Sequence, residues 1–232
     1  MAPRPHGQTL IFDADDTLWE NNVFFERAID AFTDWMAHPT LSPDEIRRVL
    51  AEVENANIVA HGYGSTVFLR SLTDCFTRLS SRPASDAELD EIARFGAALS
   101  SGHIELIPEV ERTLAELGTR HRLLMMTKGA VEEQQRKIDA SGLAHHFEAV
   151  HIVARKDPET YLKLVAESSL DPSSTWMIGN SPKSDIIAAR EAGLRAVFVP
   201  NAATWDHEHA ELDPGDGGIL HVAAFGHLTA HF

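Results

Sequence analysis

Two aspartates, Asp13 and Asp15, stand two positions apart directly after the apolar run Leu10-Ile11-Phe12. Carboxylates crowded at the end of a buried strand repel one another, and a metal, a proton or a cation must relieve the repulsion. They are therefore candidates for chemistry rather than for stability. Three more polar groups follow apolar runs in the same way. Thr127-Lys128-Gly129 follows Leu123 to Met126, and Lys156 follows Val150 to Val153. The stretch from Gly179 through Asn180 to Asp185 follows Thr175 to Ile178. These side chains suit phosphoryl transfer. A carboxylate can attack phosphorus and carry the phosphoryl group. A second carboxyl, its pKa raised by neighbouring carboxylates, can protonate the departing alcohol and then activate water. Hydroxyl, N–H and ammonium groups can neutralise the phosphoryl oxygens.

The surrounding sequence must bring these groups together. Residues 9–12 are too short and too uniformly apolar for a helix, and the spacing predicts a buried strand. Between residues 19 and 103 the pattern is helical. Phe24, Phe25, Ala28, Ile29 and Phe32 share one stripe. Ser42-Pro43-Asp44-Glu45 has the form of a capped helix start, followed by Ile46, Val49, Leu50 and Val53 on one face. His61-Gly62-Tyr63-Gly64-Ser65 breaks the pattern, and Val67, Leu69, Leu72, Phe76 and Leu79 resume it. Ser85-Asp86-Ala87-Glu88 opens another helix, expected to run to about Leu99. After Pro108 helices over 110–117, 130–140, 158–168 and 182–192 alternate with strands over 122–126, 150–153, 175–178 and 196–199. A further edge strand is expected within 219–225.

Such alternation implies an α/β fold with a doubly wound parallel sheet. The core would comprise residues 1–18 and 104–232, interrupted by an all-helical insertion over 19–103. In a parallel sheet the four polar groups lie on one edge and can meet one ligand.

Composition narrows the class. The 232 residues are 44% hydrophobic and 24% charged, as in ordinary globular proteins. A net charge of -15 argues against nucleic-acid and anionic-membrane partners, which require basic surface. A single cysteine, Cys75, excludes an intrachain disulfide. Residues 1–7 hold no apolar h-region, and no apolar run approaches membrane-span length. The expectation is a cytoplasmic enzyme acting as a monomer or homodimer.

In motif order, spacing and the helical insertion after the first motif, the chain resembles the haloacid dehalogenase superfamily, a family dominated by phosphatases. The resemblance implies a Rossmann-like core with a helical cap. Asp13 matches the nucleophile and Asp15 the general acid/base. Thr127, with Lys128 and Gly129 beside it, matches the phosphate-binding hydroxyl motif. Lys156 matches the third-motif cation, with Arg155 the alternative in the adjacent register. Asn180 and Asp185 fall on the acidic pair of the fourth motif. Mg²⁺ would be held by Asp13, the Asp15 main-chain carbonyl, Asn180 and Asp185. Asn180 departs from the usual Asp, and an amide brings no charge to a hard cation.

The resulting expectation is a Mg²⁺-dependent hydrolase of a small phosphorylated metabolite, working through an aspartyl-phosphate. The alternatives are a 2-haloacid dehalogenase, a phosphomutase and a non-catalytic phosphate-binding module. A phosphonate hydrolase of this family would need a cap lysine, and there is none between Trp19 and His103. His61, Tyr63 and Arg70 are the candidates for substrate selection, because Gly62 and Gly64 free the backbone around them. Lys128 and Lys183 are expected to be exposed. His145-His146 and Asp206-His207-Glu208-His209 are expected to be solvated surface rather than metal ligands.

Overall fold

Thr9–Phe12 form β1, and its last three residues are buried on both faces. The computed structural model describes residues 7–100 and 104–232, without the side chains of Ala98 and Ser100. The other strands are β2 (Arg122–Lys128), β3 (Ala149–Val153), β4 (Thr175–Gly179), β5 (Arg195–Phe198) and β6 (Ile219–His221). They form one sheet in the order β3-β2-β1-β4-β5-β6, and every adjacent pair is parallel. Phe12 lies opposite Met125 on one side and Ile178 on the other. The carboxyl ends of β1 and β4 are therefore nearly level, while β2 runs on past Met125 to Lys128 and carries β3 with it through the Lys128–Val153 register.

The described residues form two compact units, one holding those up to Asn22 and from Ile104 onward, the other those from Val23. The second unit is helical. It contains α1 (Asn22–Met36, entering from the first unit), α2 (Pro43–His61), α3 (Ser65–Ser80), α4 (Asp86–Phe95) and α5 (Ala97–Ser100). Ser42 and Glu45 form a capping box with Pro43 in the first turn, as the sequence predicts. Ser85 and Glu88 do the same for α4. The helix expected to reach Leu99 breaks at Gly96, where a Cβ would meet Leu69 at 2.5 Å. Phe32, Leu50, Leu72, Cys75 and Ile92 fill this unit's core. Trp35 stacks on Phe76 with ring centroids 5.5 Å apart.

The first unit packs α6 (Val110–Leu117), α7 (Val131–Ser141), α8 (Pro158–Glu167) and α9 (Ala188–Glu191) with the sheet. Alternation along β1 sends Leu10 and Phe12 to one face, among Leu114, Leu117, Trp176 and Leu228. Ile11 goes to the other, among Leu124, Tyr161 and Met177. A fully buried Phe12 anchors the first face, and truncation to Ala would cost about 3–5 kcal/mol.

Four further details differ from the sequence-based expectation. The residues after β1 stay with the core through Asn22, not only to residue 18, because Trp19 is fully buried in the first face and bridges to Leu106. β2 runs on to Lys128, so Thr127 and Lys128 are strand residues rather than loop. The helix expected over 182–192 opens as a wide π turn, Pro182–Ile187, in which both Asp185 and Ile186 N–H groups reach the Ser181 carbonyl. The last strand is only three residues, and a 3-10 turn, Phe225–Ala230, then buries Phe225 and Leu228. Among the described residues no helix is long and apolar enough to cross a membrane.

Candidate active site

Asp13 continues the ladder of β1 by one residue, donating its N–H to the Ile178 carbonyl at 2.9 Å. Its side chain is therefore aimed by the sheet. Lys156 follows β3 and is locked by the helix after it, because Asp157 caps α8 through the Thr160 N–H at 2.8 Å. The Lys156 ammonium bonds Asp13 Oδ1 and, at 2.7 Å, Asp185 Oδ1. Arg155 is exposed, so of the two basic residues Lys156 is the one that meets Asp13. One ammonium serves two buried carboxylates, so a negative charge remains uncompensated. Burial, then the charge of Asp185, raise the pKa of Asp13 to about 7 against the pull of Lys156. Burial works to lower the pKa of Lys156, but Asp13 and Asp185 more than reverse it.

Asp185 reaches this position through a glycine. A Cβ on Gly179 would lie 2.1 Å from Asp185 Oδ2. The same oxygen accepts the Ser181 N–H at 3.0 Å. Asn180 is oriented from both ends. Its Nδ2 donates to Thr204 Oγ1 at 2.9 Å, which leaves Oδ1 facing the Thr17 hydroxyl at 3.1 Å. That hydroxyl also lies 3.3 Å from Asp13 Oδ2. The Asn180 amide oxygen and a carboxylate oxygen of Asp13 thus converge on one group.

This donor set fits a hard divalent cation. Oxygen ligands predominate, and one negative charge is left unbalanced. Among the described residues no cluster of three or more His, Cys, Asp or Glu could hold a metal. A cation here would therefore rest on Asp13, the Asn180 amide and main-chain oxygen such as that of Asp15. Asp185 already accepts from Lys156 and Ser181, so it would act mainly through its charge.

Asp15 has different surroundings. Its Oδ1 accepts from Trp19 Nε1 at 2.7 Å and Lys137 Nζ at 3.0 Å. Its Oδ2 accepts from Gln134 Nε2 at 2.9 Å and Lys137 Nζ at 2.9 Å. Burial works to raise its pKa, but Lys137 and these hydrogen bonds outweigh burial and hold it below its ordinary value. The expectation of a raised pKa is thus corrected, since Asp15 has a cation of its own. Gln134 and Lys137 had no signal as site residues, because mid-helix polar side chains three apart look like a solvated face. Asp16 shapes the turn that follows. It holds φ +60 and accepts the Asn21 and Asn22 N–H groups at 2.9 Å, where α1 begins.

On the β2 side, Thr127 is buried at the strand end. Lys128, expected to be exposed, is instead half-buried and paired with Glu208, with Ser184 Oγ at 3.4 Å. Glu208 also accepts the Ser184 N–H at 3.2 Å and is only 7% exposed. Burial works to raise its pKa, but Lys128 brings it below its ordinary value. This part of the 206–209 segment is therefore not solvated surface. Lys183 is exposed as expected and bonds the His207 carbonyl at 2.7 Å. Gly129 adopts φ +143, and its N–H already donates to the Val153 carbonyl at 3.0 Å. Its contribution is close approach, since a Cβ would meet Gln134 Nε2 at 2.9 Å. Ala130 precedes α7 with no side-chain cap, so the first-turn N–H groups of that helix suit an anion.

The three selectivity candidates belong to the helical unit. His61 ends α2 and is exposed, and Tyr63 is half-buried between Gly62 at φ +83 and Gly64 at φ +139. Arg70 is exposed on α3, 3.7 Å from Asp74.

Residues 8–193 match the protein family described as haloacid dehalogenase-like hydrolase. A phosphoserine phosphatase of Thermus thermophilus is 32% identical over 123 residues, 50% of this chain and 49% of that protein. A human N-acylneuraminate-9-phosphatase is 28% identical over 104 residues, 43% of this chain and 42% of that protein. The chain thus spans about half the length, or less, of the curated relatives it matches. A haloacid dehalogenase-like family hydrolase from Xanthomonas campestris superposes with a TM-score of 0.81 at 24% identity, covering 97% of this chain and 94% of that one. A 2-haloacid dehalogenase from Pseudomonas syringae superposes with a TM-score of 0.62 at 21% identity, covering 97% of each chain. At these identities the superpositions speak to the fold alone. The match across residues 8–193, over the strand ends that carry Asp13, Thr127, Lys156 and Asp185, means that the chain belongs to the haloacid dehalogenase-like hydrolases.

Proposed function

We propose that this hydrolase is a Mg²⁺-dependent phosphatase of small phosphomonoesters. The observation that supports it best is the second carboxylate. Asp15 is held by Trp19, Gln134 and Lys137 beside a nucleophile that has a separate cation, Lys156. Displacement of halide at carbon by a carboxylate needs no second acid. Phosphoryl transfer to and from a carboxylate needs one in both half-reactions.

In the first half-reaction Asp13 attacks phosphorus, and the bond to the ester oxygen breaks as the Asp13–phosphorus bond forms. Asp15, whose pKa Lys137 holds below its ordinary value in the free protein, must first take up a proton as the charge of the phosphate ester arrives, and it gives that proton to the departing oxygen. In the second, the Asp15 carboxylate takes a proton from water as the water attacks phosphorus, which frees phosphate and regenerates Asp13. Lys156 holds Asp13 in line throughout. The Thr127 hydroxyl and the first-turn N–H groups of α7 bind the phosphoryl oxygens. Mg²⁺, held by Asp13, the Asp15 main-chain carbonyl and Asn180 with the charge of Asp185 nearby, would supply neutralisation of the phosphoryl charge.

His61, Tyr63 and Arg70 are proposed to discriminate among leaving groups, since the core residues act on the phosphoryl group common to all substrates. Exchanging them should reorder rates among phosphorylated metabolites more than it alters the rate with p-nitrophenyl phosphate. A cytoplasmic location and a monomeric or homodimeric state complete the proposal.

The test compares p-nitrophenyl phosphate with a 2-haloacid, each with Mg²⁺ and with EDTA. Phosphate release that Mg²⁺ stimulates and EDTA abolishes is expected. Halide release that survives EDTA, without phosphatase activity, would overturn the assignment in favour of a dehalogenase.

A further inference from the structure

Lys137 is not part of any strand-end group. It lies in α7, one turn after Gln134, with its side chain only 13% exposed. Its ammonium touches both oxygens of Asp15, at 3.0 and 2.9 Å. Trp19 and Gln134 touch one oxygen each and are neutral. Lys137 is thus the one partner among these that spans the carboxylate and the one that brings charge to it. A third contact, to Asn21 Oδ1 at 2.7 Å, ties the same ammonium to the segment that leads into α1. Glu133, one turn earlier on α7, lies 3.9 Å away. The ammonium is therefore fixed from three directions.

Orientation matters more for Asp15 than for most carboxylates. A group that gives a proton to one atom and later takes one from water must keep its oxygens where both reach it. Trp19 is immobilised by the core, and Gln134 is pinned by a second bond from Nε2 to the Lys128 carbonyl at 2.9 Å. Each fixes one end of the carboxylate, whereas Lys137 fixes its plane.

We propose that Lys137 is a positioning residue for Asp15, setting the orientation from which Asp15 exchanges protons with the leaving group and with water. The inference rests on the phosphatase assignment for what Asp15 does, but not for where Asp15 points.

The test uses the full chain with Lys137→Met and Lys137→Arg. Misplacing a general acid should cost about tenfold to a hundredfold in kcat/KM with an alkyl phosphate, whose leaving oxygen requires a proton. With p-nitrophenyl phosphate, whose leaving group departs unprotonated, the loss in kcat/KM, which reports the first half-reaction and not the shared attack of water, should stay within about threefold. KM should change little in either case, and Lys137→Arg should recover most of the alkyl rate. Crystal structures of the wild type and Lys137→Met would show the Asp15 carboxylate rotated in the variant. If Lys137→Met fails to fold by circular dichroism, Lys137→Gln replaces it. Equal losses of kcat/KM on both substrates, no loss, or an unmoved Asp15 would overturn the inference. A wild type inactive on both phosphates would instead overturn the phosphatase assignment, and the orientation of Asp15 in the variant would then decide the role of Lys137.

Discussion

Asp13 and Asp15 are separated by one residue, yet the fold gives them opposite surroundings. Asp13 shares a single buried ammonium with Asp185, and burial plus that second carboxylate raise its pKa to about 7. Asp15 holds Lys137 at 3.0 and 2.9 Å, with Glu133 farther off at 3.9 Å, has two neutral donors besides, and is held below its ordinary value despite burial. Two chemically identical side chains become a centre short of positive charge and a centre that is already balanced. The first would attract the metal cation of the proposed phosphatase. The second needs none and can serve proton transfer. Separating the environments of two carboxylates is a general way to divide catalytic labour between them.

The largest contrast should come from Asp13→Asn. An amide is a poor nucleophile, so turnover should fall by about a thousandfold or more. The fold should survive, because removing one of two carboxylates leaves Lys156 with one partner and relieves repulsion. A melting temperature at or above that of the wild type, alongside lost activity, is the expected result.

Next in size is the difference between the two lysines. Lys156→Met would strand two buried carboxylates, a loss of about 3–5 kcal/mol of stability. Lys137→Met removes a cation from a carboxylate that keeps Trp19 and Gln134, so about 1 kcal/mol is expected. Urea melts of both variants measure the gap. Similar losses would mean that the two centres are not electrostatically distinct.

The smallest effect concerns the metal side of the Asp13 centre. Asn180→Asp adds a carboxylate where Asn180 Oδ1 now faces Thr17, and Thr204 would have to turn its hydroxyl from the Asn201 carbonyl to serve the new group. The Mg²⁺ concentration for half-maximal activity should fall by about threefold, since hard cations favour carboxylates. An unchanged or higher requirement would place the cation elsewhere.

The Asp13 centre was largely legible in the sequence and the Asp15 centre was not. Asp13, Lys156, Asn180 and Asp185 each follow an apolar run that can only be a buried strand, so type and position are written locally. The helix starts at Ser42 and Ser85 were legible for the same reason, since a capping box spans four residues. Lys137 and Gln134 meet Asp15 across more than a hundred residues, and nothing in their own helix sets them apart. Glu208 reaches Lys128 across 80 residues from a segment with no periodic pattern. Trp19 looked like the start of the insertion because its bond to Asp15 and its bridge to Leu106 are tertiary facts. The π turn before α9 follows from the close approach of Gly179 and Asp185, which a helical pattern does not encode.

In the proposed reaction Asp13 is the residue that receives the phosphoryl group. Wild-type protein can be mixed with Mg²⁺ and a phosphomonoester carrying labelled phosphate, quenched in acid during turnover, digested and mapped by mass spectrometry. An acid-stable, hydroxylamine-labile phosphate is expected on the peptide containing Asp13, absent from Asp13→Asn. Phosphate release at full rate with no label on that peptide, or with label on another residue, would contradict it.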